Sequence, residues 1–256
     1  MKLFYYLVLL VLLSSCNNNE GTKKIPLKTP ATDRIIENNV VNSSNKKFKS
    51  SLRPSQDLEL HKVYIDTVQF IEYNTDFDYF FIEVKKGNHI AGLNTNSDNI
   101  NFNRGDILEV KWKIDSIFIA GDGETLDFSE WLVNAKKIKD GNLSLFKKKY
   151  KKTIKFYTDK ENMPDWYKDL LYKKVEYYLA NSKKELVKLH IQNTSPDEQL
   201  SYSIEDQERD GKLYTVLGLA NDFENRTSII QWLYFDQESK KLYEYDLAND
   251  KLIEFP

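Results

Sequence analysis

The stretch of sequence that decides the fold runs from Arg104 to Ile114 and reads RGDILEVKWKI. Its apolar side chains occupy every second position, at Leu108, Val110, Trp112 and Ile114. Charged residues fill the positions between them. Because a β-strand turns successive side chains to opposite faces, this alternation predicts a long strand with one face in a core and the other in water.

Three further runs with strand character surround this central strand: Val63 to Tyr73, Tyr79 to Lys86 and Trp131 to Ile138. A turn-prone triplet, Asn74-Thr75-Asp76, separates the first two runs and predicts a hairpin. Short curled strands that lead through a Gly-Asp turn into a long central strand resemble small β-barrels of the OB or SH3-like kind. The resemblance covers residues 58–140.

The first of these runs has an irregular apolar pattern. Val63 and Ile65 have one parity, whereas Val68 and Phe70 have the other. A β-bulge adds one residue to a strand and so reverses the parity of everything after it. We therefore expect a bulge at Asp66-Thr67, which would bring all four apolar side chains to one face.

A basic segment from Asn142 to Lys152 follows, and its five lysines within Lys147 to Lys152 predict an exposed, partly ordered join. Beyond it, Pro164 to Ala180 has helical spacing, with Pro164 in the first turn. Five runs of strand character complete the chain: Leu186 to Ile191, Leu213 to Leu219, Ile229 to Asp236, Lys241 to Leu247 and Lys251 to Phe255. Short turns join the last three runs and predict an antiparallel meander.

One helix against such a sheet is an α+β layer, which loosely resembles cystatin-like, PepSY-like or nuclear-transport-factor-like folds. These resemblances assign no functional residue. We therefore predict a mostly β and α+β chain, with a small OB- or SH3-like barrel over residues 58–140 and an α+β domain with its own core over residues 141–256. The alternative is one continuous sheet, in which the later strands extend the earlier ones.

The N-terminus has the features of an export signal. Lys2 precedes the apolar run Leu3 to Leu13, which is shorter than the roughly 18 residues that a membrane-spanning helix needs. The run ends in Leu13-Ser14-Ser15-Cys16, which resembles the lipobox of bacterial lipoproteins. The resemblance implies a signal peptide over residues 1–15, cleavage between Ser15 and Cys16, and a lipid on Cys16. Alternatively, the run is an N-terminal hydrophobic helix and Cys16 an incidental thiol.

Residues 16–57 are predicted to form a lipidated, disordered tether. They contain one aromatic side chain, Phe48, among clusters of Asn, Ser, Thr, Lys and Pro, and so have too little apolar surface to offset chain entropy. A flexible chain of this length reaches on the order of 35 Å. We expect the lipid to attach the protein to the outer membrane facing the periplasm, because Asn17 is not the aspartate that favours inner-membrane retention in enteric bacteria.

The charge balance excludes one class of partner. The chain has 37 Lys and Arg against 39 Asp and Glu, and removal of Lys2 with the signal peptide leaves 36 basic residues and a net charge of −3. A chain without a basic excess is not expected to bind nucleic acid. Its heavy use of Lys, Asn, Ile and Tyr resembles proteins of AT-rich bacteria such as the Bacteroidota.

The sequence contains no catalytic motif of known spacing. His61, His89 and His190 are far apart and lack a metal-ligand spacing. No nucleophile elbow, Walker loop or dinucleotide fingerprint is present. The chain's single cysteine, Cys16, is assigned to the lipid. We therefore predict no catalytic residue, metal site or cofactor, although a glycosidase needs only two carboxylates that the fold brings together.

Two aromatic sets are candidates for binding: Trp112 with Trp131, and Trp232 with Tyr234, Tyr243 and Tyr245. Core packing explains Trp112, which shares the apolar parity of its strand. We single out Trp131, Tyr243 and Tyr245 as candidate binding aromatics, because exposed aromatic rings on a sheet stack on sugars or partner proteins.

These features favour a lipid-anchored, non-enzymatic binding or scaffolding module of the cell envelope. Its partners would be the membrane, through the N-terminal lipid, and an envelope protein or glycan. The alternative is a hydrolase of envelope polymers with unassigned carboxylates.

Overall fold

The computed structural model describes residues 46–119, 125–192, 195, 197–223 and 226–256. In these residues the chain forms a closed five-stranded barrel and a six-stranded sheet with three helices. The barrel strands are β1 (Tyr64–Asn74), β2 (Phe80–Lys86), β3 (His89–Thr95), β4 (Ile107–Ile119) and β5 (Thr125–Lys139). The later elements are α1 (Asn142–Lys149), β6 (Lys155–Tyr157), α2 (Asp165–Asn181), α3 (Glu185–Gln192), β7 (Glu198–Arg209), β8 (Lys212–Phe223), β9 (Arg226–Asp236), β10 (Leu242–Asp246) and β11 (Lys251–Phe255).

The barrel closes in the order β1-β2-β3-β5-β4, and β4 pairs back with β1. All neighbouring strands are antiparallel except β3 and β5, which run parallel. This order is that of an OB-fold, a five-stranded Greek-key barrel. The predicted small barrel is therefore confirmed, and its strand order identifies the OB alternative.

The central strand lies where the sequence predicts it. Leu108, Val110 and Trp112 of β4 are fully buried, and Ile114 is almost so. Trp112 therefore packs in the barrel core, as its parity indicates. Burying apolar surface of this size stabilises the fold by about 2 kcal/mol for each large side chain.

The predicted bulge in the first strand is wrong in position. β1 alternates regularly from Tyr64 to Phe70, and its register shifts only between Phe70 and Glu72. Val63 and Ile65 are consequently half exposed. The side chain that points inward between Tyr64 and Val68 is Asp66, which is buried because it has hydrogen-bond partners that the sequence does not show.

Three donors from distant parts of the barrel converge on Asp66. Its carboxylate accepts hydrogen bonds from Arg53 Nε at 2.8 Å, from Lys86 Nζ at 2.5 Å and from Trp112 Nε1 at 2.8 Å. Burial alone would raise the pKa of Asp66, but these hydrogen bonds outweigh it and hold the pKa below its usual value. The ionised carboxylate therefore ties the segment before β1 to β2 and β4.

The predicted tether is too long at its C-terminal end. Phe48 forms a β-bridge with Leu58, and Leu52 and Leu58 are buried in the barrel core. The folded part of the chain thus includes residues before the predicted start at residue 58, because three apolar side chains in a polar segment fill one end of the barrel. Ser15 and Cys16, the predicted cleavage and lipidation positions, lie outside the described residues.

The second region is a sheet in the order β11-β10-β9-β8-β7-β6, with α2 packed against one face. Leu171 and Val175 of α2 are fully buried together with Leu217 of β8 and Leu233 of β9. The predicted helix and the antiparallel meander of β9, β10 and β11 are both confirmed.

Two elements of this region differ from their predictions. The basic join is a helix, α1, whose Leu143 and Phe146 are buried in the core beside α2 while its lysines face outward. Residues 186–191 form part of helix α3 and not a strand, and in that helix only Val187 is buried. Both segments are short, and short apolar runs have the same appearance in strands and helices.

Buried hydrophobic residues form two clusters, one in the barrel and one between α2 and the sheet. Both clusters belong to one compact unit. Independent folding of the barrel and the α+β region therefore stays a prediction.

The barrel joins α1 through Asp106, which is fully buried. Its carboxylate accepts hydrogen bonds from the backbone N–H of Gly141 at 2.8 Å and of Asn103 at 3.0 Å. The backbones approach so closely that a Cβ on Gly141 would lie 2.3 Å from the carbonyl carbon of Gly105. Since Gly141 has an ordinary φ of −79°, contact and not backbone conformation requires the glycine.

We expect Gly141→Ala to destabilise the protein by about 1–3 kcal/mol, because the added methyl group must push the barrel backbone away from α1. Thermal unfolding followed by circular dichroism would measure the loss. Gly92→Ala is the matched control, since its Cβ would lie 3.3 Å from the movable ring of Phe81. Equal melting temperatures for the two variants would contradict a tight join at Gly141.

Asp66→Asn should lower the free energy of unfolding by about 2 kcal/mol at neutral pH, since it weakens charge-assisted hydrogen bonds in a buried site. Because the pKa of Asp66 is lower in the folded than in the unfolded state, its contribution is complete above the unfolded pKa of about 4. The contribution then declines as the pH falls towards the folded pKa. Urea unfolding at several pH values should show the variant and the wild type converging in acid. The exposed Asp57→Asn, as a control, should change stability little.

Candidate functional site

Four aromatic side chains project from the outer surface of the barrel at one end of β2, β3 and β5. We call this surface the barrel aromatic face; its members are Phe77, Tyr79, Phe81 and Trp131. They point outward because the residues of opposite parity, such as Ile82 and Val84 in β2, fill the core. The β1–β2 loop contributes Phe77 and Tyr79, and the strands contribute the other two.

Strand register sets the row across this face. Phe81 of β2 pairs with Asn94 of β3, Asn94 pairs with Trp131 of β5, and Trp131 pairs with Lys113 of β4. Paired residues point to the same side of a sheet. Two aromatic rings therefore flank Asn94, whose amide donates a hydrogen bond to Ser129 Oγ at 2.9 Å.

Contacts among the rings fix their orientation. Tyr79 meets Trp131 edge to face, with centroids 5.5 Å apart and an interplanar angle of 87°, and Phe77 lies 5.6 Å from Phe81. The Tyr79 hydroxyl donates to the carbonyl of Phe118 at 3.1 Å and accepts from its backbone N–H at 3.2 Å. These bonds hold the loop aromatics against the end of β4.

A glycine lets one ring lie on the sheet. A Cβ on Gly92 would lie 3.3 Å from Cδ2 of Phe81, so the ring packs directly on the β3 backbone. Glu83 pairs with Gly92 and stands beside the same ring. The result is a shallow aromatic surface with a carboxylate and an amide along its border.

Acidic residues border the barrel aromatic face on the side of β2 and the β1–β2 loop, whereas Lys113 lies beside Trp131. Burial and the neighbouring Glu72 raise the pKa of Glu83, and Arg104 only partly opposes them. Asp76 and Asp78 are exposed in the same loop as Phe77 and Tyr79. A polyanion such as nucleic acid would be repelled here, whereas a neutral ligand would not.

Trp131 has one further property. Its indole Nε1 is buried and has no hydrogen-bond partner among the residues that the structure describes. An unpaired buried donor costs about 1–3 kcal/mol, so a ligand oxygen that reached it would be favoured. Trp131 was the one residue of this face that the sequence had singled out.

The other two predicted aromatics lie on the six-stranded sheet, on the face opposite α2. There Tyr243 and Tyr245 of β10 are half-buried beside Trp232 and Tyr234 of β9 and Tyr214 of β8. We call these five residues the sheet aromatic face. Tyr245 donates its hydroxyl to Asp250 Oδ1 at 2.8 Å. The sequence set of four thus lies together in space, and Tyr214 joins it through the β8–β9 pairing.

Sequence reasoning missed Phe77, Tyr79 and Phe81 as binding candidates, although a signal was present. The three aromatics occupy alternate positions in a segment that also contains two aspartates. That spacing places them on one side of an extended chain. We had interpreted the part from Tyr79 only as a strand and the part before it only as a turn.

Two concave regions could hold the substrate of a hydrolase. One, of about 200 Å³, lies beside the join and contains Asp140, which pairs with Lys137 at 3.0 Å. The other, of about 530 Å³, lies above Asp66, which pairs with Arg53 and Lys86. Each region has a single carboxylate, and that carboxylate is already ion-paired.

The histidines are dispersed in the fold as they are in the sequence. His61 lies in a turn 3.3 Å from Asp115, His89 begins β3, and His190 of α3 contacts Asn221 at 3.0 Å through Nδ1. In the described residues, no group of three or more His, Cys, Asp or Glu side chains is arranged to hold a metal ion. None of the described helices has the length and apolarity to cross a membrane.

No protein-family model matches the chain, and no curated protein is similar to it. Among solved structures, the chain has a likeness to the aspartyl tRNA synthetase from Entamoeba histolytica, at 9% identity and a TM-score of 0.24. The match covers 65% of this chain and 48% of the synthetase, so it spans about half the length of that protein. A likeness this weak carries no argument about function.

Proposed function

We propose that this protein is a lipid-anchored binding module of the bacterial cell envelope that holds a neutral glycan on the barrel aromatic face. The observation that carries the proposal is the row of Phe81, Asn94 and Trp131 across β2, β3 and β5. OB-fold barrels bind oligosaccharides or oligonucleotides on the face of strands 2 and 3 and on the adjoining loops. The negative surroundings of the face favour the oligosaccharide.

Sugar chemistry fits the components of this face. The C–H side of a pyranose ring is apolar and packs on an aromatic ring, while its hydroxyls need hydrogen-bond partners at the edge. Glu83 and the amide oxygen of Asn94 can accept such hydrogen bonds. Stacking supplies affinity, and the polar atoms orient the sugar.

The proposed anchor rests on the Leu13-Ser14-Ser15-Cys16 sequence. Two or three acyl chains on Cys16 would hold the protein at a membrane, since each buried methylene contributes about 0.8 kcal/mol.

The rival function, hydrolysis of an envelope polymer, has weaker support. Glycoside hydrolysis uses two carboxylates roughly 5–10 Å apart in one cleft. Each of the two concave regions offers one carboxylate, which is ion-paired. A shallow aromatic surface is the geometry of binding and not of catalysis.

Lipidation is tested by expressing the full chain in a bacterial host with labelled palmitate. Wild type should incorporate the label and fractionate with membranes, whereas Cys16→Ser should do neither. Ser14→Ala leaves the thiol in place and is the control. Label that survives the Cys16→Ser substitution would refute the anchor.

Glycan binding is tested by isothermal titration of the chain from residue 16 with soluble chitotetraose. Trp131→Ala should raise the Kd of the barrel site about tenfold, because it removes the stacking surface. Trp131→Phe should lose less, since a ring remains. Trp166→Ala, at a 65% exposed tryptophan of α2 outside both faces, is the matched control. An unchanged isotherm for Trp131→Ala would refute the barrel site.

A further inference from the structure

The sheet aromatic face contains a tryptophan whose ring closely approaches the backbone of a neighbouring strand. A Cβ on Gly218 of β8 would lie 2.6 Å from Cζ3 of Trp232 and 2.7 Å from Ser203 Oγ. The six-membered ring therefore reaches from β9 across β8 towards β7. No side chain larger than hydrogen fits beneath it.

Glycine at position 218 lowers the stability of β8, and close contacts at this position explain why no larger residue is present. Glycine in the middle of a strand destabilises it by about 0.5–1 kcal/mol relative to alanine. The backbone at Gly218 does not have a positive φ, so conformation does not require glycine there. The remaining physical reasons are the close approaches of the Trp232 ring and of Ser203 Oγ.

Hydrogen-bonding groups border the platform on the β7 side. Ser203 Oγ donates to Glu205 Oε1 at 3.0 Å, which leaves Glu205 Oε2 without a partner among the described residues. Tyr234 donates its hydroxyl to Gln207 Oε1 at 2.6 Å, so the amide N–H groups of Gln207 remain available. An exposed acceptor and an exposed donor thus stand at one edge of the aromatic plane.

A cluster of tyrosines supports the other side. Tyr234 lies 5.7 Å from Tyr214 and 5.5 Å from Tyr245, centroid to centroid. Arg209 packs on the Tyr245 ring at 5.4 Å and forms an ion pair with Asp250 at 2.8 Å. Because these rings brace one another, little side-chain entropy remains to be lost when a ligand binds.

Two lysines at the edges of this face are paired within the protein, Lys212 with Asp236 and Lys241 with Glu254. Glu205 has no ion-pair partner among the described residues, so a strongly anionic partner would be repelled at that edge. A flat, neutral molecule with an apolar side and hydroxyls at its rim fits the platform and its border together.

From these observations we infer that Trp232, which lies over Gly218, is a sugar-stacking platform for a β-1,4-linked glycan strand, with Glu205 as acceptor for a sugar hydroxyl. β-1,4 linkage makes an extended ribbon, so successive pyranose rings can lie along one aromatic surface. This site is independent of the barrel aromatic face, so it does not require the proposed barrel site to be correct.

The test uses the chain from residue 16 with Trp131→Ala as the background, so that binding reports the sheet aromatic face. Chitotetraose is titrated by calorimetry, and maltotetraose, an α-linked and curved chain, serves as the comparison sugar. In this background we expect Trp232→Ala to raise the Kd for chitotetraose at least tenfold and Glu205→Gln about threefold. Gly218→Ala should raise it severalfold, because the methyl group displaces a ring that is still present.

Two variants distinguish loss of the binding site from damage to the fold. Trp232→Phe keeps an aromatic plane and should retain part of the affinity, and Trp166→Ala should bind as the background does. Thermal unfolding of each variant would show whether the sheet is intact. Maltotetraose should bind at least tenfold more weakly than chitotetraose.

The outcomes distinguish this inference from the proposed barrel site. If the Trp131→Ala background binds no chitotetraose while wild type does, the barrel site is supported and the Trp232 platform is refuted. If the background binds and Trp232→Ala abolishes it, the platform is supported. Equal affinity for chitotetraose and maltotetraose would overturn the assignment to a β-1,4-linked glycan. The assignment would also be overturned if the site captured a protein that chitotetraose does not displace and that Trp232→Ala no longer captures.

Discussion

The buried carboxylate of Asp66 is the constraint on which the barrel depends. It joins Arg53 from the segment before β1, Lys86 from β2 and the indole of Trp112 from β4. A buried charge without partners would cost too much desolvation free energy. Three donors from separate segments offset that cost only when all of them are in place. The interaction therefore fixes which segments meet, and hydrophobic burial around it supplies the stability. Of the strands that present the barrel aromatic face, this interaction holds β2 directly.

How far the sequence predicts the fold depends on how local each signal is. The central strand β4, helix α2 and the meander of β9 to β11 each have a regular apolar period over many residues, and all three are confirmed. β3 was missed because its sequence, HIAGLNT, contains glycine and asparagine and is short. β7 was missed because its second half is almost entirely polar; it is a strand because β8 pairs with it along its whole length.

The error at Asp66 has a different origin. The alternation of apolar residues predicts that Val63 and Ile65 lie in the core. Because their parity is opposite to that of Val68 and Phe70, the prediction required a β-bulge. In the fold an aspartate takes the inward position, because its partners come from residues 13, 20 and 46 positions away. A prediction from apolar–polar alternation places a polar residue on the outward face. The alternation contains no information on long-range hydrogen bonds.

The candidate binding residues were predictable in type but not in arrangement. Trp131, Tyr243 and Tyr245 could be selected as aromatics in strand-like runs, and Tyr243 and Tyr245 also alternate with the acidic residues Glu244 and Asp246. The glycines that make these faces usable could not be selected, because Gly92 and Gly218 matter through rings on other strands, Phe81 and Trp232. The two contacts also differ in kind. At Gly92 the ring could yield by a few tenths of an ångström, whereas at Gly218 the ring leaves no room for a methyl group.

Two modest sugar sites on one chain would bind a long glycan more tightly than either alone, provided that both can reach the same strand at once. A lipid anchor would strengthen that effect, because it confines the protein to the surface where an envelope polymer is concentrated. Weak stacking sites are then sufficient, and neither face needs the deep, enclosed pocket that a freely diffusing binding protein would require for the same occupancy.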